Sequence, residues 1–188
     1  MIDQTMTFLL GELNNYLGAR FPDSPNLAVL EDIVQNSGTG AEEIENKLVV
    51  TLVNVEREPI AANTAKMYRQ TGDVAKRIPQ PLNLNLVFMI AANFPENYTD
   101  SLKVLSSAIA FFQAMPLFTA QSNPNFPDAL ERLSVEWREL DLQASHNLWT
   151  VLGGRYRPSV VYKARMLIID DAFIGADVPI ITATDVEG

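Results

Sequence analysis

Cysteine is absent and histidine occurs once, at position 146. The first absence excludes a disulfide framework, thiolate metal sites and a cysteine nucleophile, and it accords with a cytoplasmic origin. The second leaves no histidine pair for a zinc site. Basic side chains are scarce as well: 14 Lys and Arg stand against 23 Asp and Glu, a net charge of −9. Phosphate binding depends on clustered Lys and Arg, so the balance argues against nucleic acid and anionic membranes and for a protein partner. No apolar run approaches the roughly 20 residues of a membrane span. Met1 to Leu17 carries Asp3 and Glu12 without a basic start, which predicts a soluble protein with no signal peptide.

Catalytic signatures are missing too. There is no Gly-x-Ser-x-Gly elbow and no His-Glu-x-x-His. Gly38-Thr39-Gly40 shares with a phosphate loop only its first two glycines, because Glu43 stands where the third belongs and no Gly-Lys-Ser/Thr follows. A turn is the plainer reading. His146, with Leu142 one helical turn before it and Trp149 one turn after, is expected to be a packing residue. Asp170 and Asp171 could hold a hard cation, but adjacent carboxylates in an extended chain point to opposite sides. No cofactor and no metal is expected.

What the chain does contain is a well-patterned core. At 188 residues and 47% apolar, it is long enough for one domain that hides roughly 70% of its unfolded surface. Leu82 to Phe94 is the organising stretch. Leu84, Leu86, Phe88 and Ile90 alternate with Asn83 and Asn85, and from Val87 the second side turns apolar with Met89 and Ala91. Period two predicts a strand, and apolar residues on both sides place it in the middle of a sheet.

Around it the periodicities predict a helix from Ile2 to Leu17 stopped by Gly18, a short strand at 27–30, a loop at 35–46 and a β-branched strand at 48–55. After the central strand comes a helix from Tyr98 to Met115, capped by Asn97 or Thr99 and ended by Pro116. Its two apolar stripes, Tyr98-Leu102-Leu105-Ile109-Phe112 and Val104-Ala108-Phe111, predict a helix sandwiched between layers. A half-wet strand follows at 132–140 with Leu133, Val135 and Trp137 inward, then a helix at 143–152 stopped by Gly153-Gly154, and a last strand at 159–169. Trp137, Trp149, Phe111 and Phe112 are read as core. The order α β β β α β α β lacks regular βαβ alternation, so the expected class is α+β, with a mixed, largely antiparallel sheet and helices mainly on one face. The domain is expected over 1–170, with an acidic arm over 171–188.

Two charged excursions interrupt this pattern. Arg57 to Pro81 carries Arg57, Lys66, Arg69, Lys76 and Arg77 against Glu58 and Asp73, a net +3 in a long segment poor in large apolar side chains. Segments of that length inside a domain are usually functional, and Thr71-Gly72-Asp73 could turn it into a hairpin. Beyond Ile169, Asp170, Asp171, Asp177, Asp185 and Glu187 have no basic counterpart, yet Ile180 and Ile181 give the arm an apolar extended stretch suited to strand addition. The basic segment, Lys163 and Arg165 on one side of the last strand, and Ile180 and Ile181 are the candidate protein-interface residues, the acidic arm or an acidic partner surface being expected to meet the basic segment of another subunit.

The central strand with its trailing Ala-Ala-Asn-Phe, the helix ending Phe-Phe-Gln-Ala-Met-Pro-Leu-Phe-Thr, Leu148-Trp149, and Tyr156-Arg157-Pro158-Ser159-Val160-Val161-Tyr162-Lys163-Ala164-Arg165-Met166-Leu167 occur in one order. Together with Leu9-Leu10 and Glu12-Leu13-Asn14 they resemble the N-terminal domain of the cap, or tube-terminator, protein of extracellular contractile injection systems of the antifeeding-prophage and virulence-cassette type. The likeness covers about Ile2 to Asp170, and longer members of the family continue where this chain ends. It implies a structural part similar to contractile phage tail terminators: six copies in a ring on the inner tube, stopping its growth and engaging the last sheath layer. Assembly in the cytoplasm would precede release in an extracellular particle. It implies tube and sheath proteins as partners and no catalytic residues. The rival readings are a baseplate or adaptor subunit of the same machine, and a small metal-dependent enzyme built on His146, Asp170 and Asp171.

Overall fold

The computed structural model describes residues 1–33, 44–58, 68–71, 74–77, 84–168 and 177–179, with only the backbone described for 68–71, 74–77, 167–168 and 177–179. The elements run α1 (Ile2–Arg20), β1 (Ala28–Leu30), β2 (Lys47–Arg57), β3 (Tyr68–Thr71), β4 (Val74–Arg77), β5 (Leu84–Asn93), α2 (Tyr98–Ala114), β6 (Leu117–Phe118), β7 (Leu130–Trp137), α3 (Leu142–Leu152), β8 (Ser159–Ile168) and β9 (Asp177–Pro179). Six strands form one sheet in the order β1-β2-β5-β8-β7-β6. Only β1 and β2 are parallel, so the sheet is mixed and largely antiparallel as expected.

β5 lies inside the sheet between β2 and β8. Its Leu86, Phe88, Ile90 and Ala92 face a large core shared with α1 and α2, while Val87, Met89 and Ala91 face a smaller one shared with Ile33, Ile44 and Trp149 of α3. Two helices therefore cover one face and α3 the other. Asn85, expected on a wet face, is 2% exposed, and the register sets it between Glu56 and Arg165. Long charged side chains can cover a short polar one on a sheet face that alternation alone marks as wet.

α1 buries Met6, Leu9, Leu13 and Leu17 at helical spacing, with Phe8 beside them. Gly18 does not stop it. The helix runs on to Arg20, and the Phe21 N–H donates to the Leu17 carbonyl at 2.7 Å before Pro22 breaks the chain. Anchoring by fully buried Leu17 outweighs the modest helical penalty of one glycine, about 1 kcal/mol. Asn14 then ties α1 to the sheet: its amide donates to the Ala28 carbonyl and its oxygen accepts the Ala28 N–H, both at 2.9 Å. This satisfies both backbone groups at the start of edge strand β1.

α2 begins where the sequence places it, with Asn97 Oδ1 accepting the Asp100 N–H at 3.1 Å. It is not sandwiched. Tyr98 and Leu102 are exposed, and Ser101 and Ser107 are buried in their stead. Each serine hydroxyl donates to a carbonyl of its own helix, Ser101 to Tyr98 at 2.6 Å and Ser107 to Lys103 at 3.0 Å. Satisfied in this way, the serines enter the interface at little cost, and the buried arc turns away from the outer stripe.

The main core is aromatic at its centre. Phe112 sits 4.8 Å from both Phe111 and Tyr162, and Phe88 stacks on Tyr162 at 5.7 Å. Trp149 is buried as expected, but Trp137 is 55% exposed, its ring edge to face with Tyr162 at 5.9 Å. It ends β7 beyond the two-residue strand β6, so no neighbouring strand covers it. His146 is exposed rather than packed, because α3 touches the sheet chiefly through Trp149. We expect Phe112→Ala and Trp149→Ala each to cost about 3–5 kcal/mol in urea unfolding. His146→Gln should stay within about 0.5 kcal/mol of the parent.

Candidate assembly surfaces

The long basic segment contains a hairpin. β3 and β4 pair antiparallel with Thr71 opposite Val74, while Gly72 and Asp73 of the expected turn lie outside the described residues. Arg69, Lys76 and Arg77 lie in these strands, with Arg69 opposite Lys76 and Tyr68 opposite Arg77. Strand β9 adds to the other edge of β4, setting Asp177 opposite Lys76. The acidic arm thus meets the basic segment within one chain, where the sequence reading set the pairing between subunits. Arg57, at the end of β2 opposite Leu84, is exposed. Lys66, Ile180 and Ile181 lie outside the described residues, as do Asp170, Asp171 and the Gly38-Thr39-Gly40 turn.

Lys163 and Arg165 occupy the α3 side of β8, beyond the small core, and both are engaged inside the chain. Arg165 donates to Glu136 at 3.0 Å and lies 3.8 Å from Glu58. Lys163 lies 3.7 Å from Glu56, which accepts a 2.7 Å hydrogen bond from Arg138. Three carboxylates and three cations from β2, β7, the residues that follow each of them, and β8 form a neutral lattice over the sheet. The Arg138 hydrogen bond holds the Glu56 carboxyl below its ordinary range, with burial opposing and the charges of Arg138 and Lys163 assisting. Sequence alternation marked these positions as wet but gave no sign that they pair across four strands.

Other surfaces were missed altogether. Leu142 and Val151 of α3 are 91% and 84% exposed, although helical spacing set Leu142 on the face of Trp149. Between α3 and the end of β7 lies a cavity of about 460 Å³ lined by Trp137, Leu140, Leu148 and Trp149. The Trp149 indole N–H is buried there without a partner among the described residues. Among those residues no three His, Asp or Glu side chains gather to hold a metal ion.

Because the folded-state pKa of Glu56 is depressed, its pairing stabilises the fold above the ordinary carboxylate pKa of about 4.3 and is lost as pH falls through the lower folded value. Glu56→Gln should therefore cost about 1 kcal/mol or less at neutral pH and nothing in acid. Parallel urea titrations at the two pH values check this, and a gap that persists in acid would show that the loss is not electrostatic.

A comparison with curated proteins gives no match. Among solved structures, the chain is similar to the anti-feeding prophage cap, described as the tube-terminating cap, with a TM-score of 0.53 and 15% identity over 94% of this chain and 60% of that one. It is also similar to the PVC sheath/tube terminator of an extracellular contractile injection system in its extended state, with a TM-score of 0.50 and 15% identity over 94% and 62% of the two chains. Identity this low speaks for a shared fold, and the present chain spans about three fifths of each neighbour's length. The family model of the Pvc16 N-terminal domain matches residues 4–183, nearly the whole sequence, and the chain belongs to that family.

Proposed function

We propose that this protein is a structural cap of a phage-tail-like contractile injection system, a ring subunit that ends the inner tube and engages the last sheath layer. The observation that carries the reading is family membership across residues 4–183, joined to a fold shared over 94% of the chain with a tube-terminating cap. The ring is read as six copies, assembled in the cytoplasm and released as part of an extracellular particle. Its partners are further copies of itself, the tube protein and the sheath protein.

The surface suits such a part. A ring subunit needs a rigid core, projecting elements that reach a neighbour, and charges that select it. Here an aromatic core supports one hairpin with a basic sequence, and exposed apolar side chains mark α3 and the end of β7. The role is structural rather than catalytic, and His146 serves only as a surface residue of α3.

Electron microscopy of the purified protein mixed with tube protein tests the proposal, which expects rings seated on tube ends. Removing the protein from the producing cell should give particles of irregular length or without attached sheath. Uniform, intact particles from that cell would sink the cap reading, and particles defective only at the baseplate would favour an adaptor. His146→Gln should support assembly and injection fully, and a folded variant that fails in injection would point to histidine chemistry.

A further inference from the structure

The outer face of α1 and the segment 125–129 that leads into β7 enclose an open groove of about 640 Å³. Phe8 and Phe126, edge to face at 5.4 Å, form its apolar floor. Asp3, Glu12 and Asp128 stand on its rim, and no Lys or Arg lines it among the described residues. Asp3 is paired with the Met1 amine at 2.7 Å, and Glu12 accepts the Asn123 side-chain amide at 3.1 Å, so the walls are set in place.

Gly11 leaves the middle of this groove bare. Glycine is a poor choice inside a helix because it surrenders the most backbone freedom. Nothing within the chain asks for it: its φ is not in the left-handed region, and a Cβ built there would meet no atom within 4 Å. A glycine with open space above it fits a backbone approached from outside.

Resting on the cap reading, we propose that this groove receives the β3–β4 hairpin of a neighbouring copy, as the contact that closes the ring. Charge complementarity names the occupant. Arg69 lies directly opposite Lys76, a like-charge pair that disfavours a hairpin unless anions lie near, and among the described residues Asp177 stands opposite Lys76 as one. Arg77 extends the cationic stretch, and its register partner is the aromatic residue Tyr68. A cationic, aromatic-bearing hairpin thus matches an acidic groove with an aromatic floor.

The ring geometry of the cap reading favours a neighbour's groove over a copy's own. The hairpin leaves the sheet between β2 and β5, whereas segment 125–129 enters β7. The register Arg57–Leu84–Met166–Leu133 puts the bases of both at one end of the sheet, with β8 between β5 and β7. Between copies repeated around an axis, the hairpin flank of one faces the groove flank of the next, the head-to-tail geometry of a ring.

Sedimentation velocity and native mass spectrometry of the whole protein at low salt test this with two charge reversals and their combination. Arg69→Glu with Arg77→Glu, which leaves an opposite charge across from Lys76, should weaken self-association at least tenfold. Glu12→Lys with Asp128→Lys should do the same, and the four changes together should restore association to within about threefold. Gly11→Trp, placed in open space, should abolish association while circular dichroism and thermal unfolding remain native. Unchanged association in either reversal, failure of the combination to rescue, a protein monomeric throughout, or reversals that lower only thermal stability, as a contact within one chain would, each overturn the proposal. Rings on tube ends that ignore the reversals would reject this contact and keep the cap. Rings that obey the charge swap but never bind tube would reject the cap and keep the contact.

Discussion

The double-sided burial of β5 is the constraint on which the rest depends. A strand that is apolar toward two cores has only one acceptable register, because a slip of one residue exchanges its faces. Such a slip would turn Phe88 and Ile90 toward Trp149 and carry Asn85 from the charged end of the other face into the apolar main core. Once β5 is fixed, β2 and β8 are fixed by pairing. α1 and α2 then have a defined surface to cover, and the smaller core under α3 holds the other face.

Where β5 begins, the same face of the sheet changes character. Past Val87 toward Leu84 the small core gives way to Asn85 and then to the lattice of Glu56, Glu58, Glu136, Arg138, Lys163 and Arg165. Exposed ion pairs add little stability one at a time, but a neutral lattice keeps a strongly acidic protein from accumulating charge over its central strands. It also bears on recognition. A partner that sought Lys163 or Arg165 would first have to displace a carboxylate, and so those two cations are poorer handles than their place in the sequence suggests.

Periodicity made the core legible. The central strand, the aromatic helix α2, buried Trp149 and the α+β class could all be read from it, since burial and period two or 3.6 are two faces of one fact. What escaped was set by contacts that sequence spacing does not encode. Gly18 continued a helix because Leu17 anchors it, and two serines displaced Tyr98 and Leu102 from the interface by bonding to their own helix. Trp137 was left open because β6 is only two residues long. The candidate surfaces were legible in part: charge counts picked out the basic segment, but neither the partners of Lys163 and Arg165 nor the groove along α1 has a signal in local sequence. Gly11 was visible, and only the empty space above it gives it meaning.

These surfaces differ in what they can contribute to an assembly. A closed ring does not need each contact to be strong, because closing the last one joins copies already held together, and effective concentration replaces dilution. Modest charged contacts between hairpin and groove would then suffice around the ring, and salt would tune them. Engaging a tube end is a different demand. It favours apolar anchors on rigid elements, where truncation of a few aromatic or aliphatic side chains removes most of the affinity. Trp137, Leu142 and Val151 have that character, on a strand end and a helix rather than on the charged hairpin. On the proposed reading, the distribution of residue types would separate the two tasks physically, with charge on the β3–β4 excursion and exposed apolar side chains on the framework.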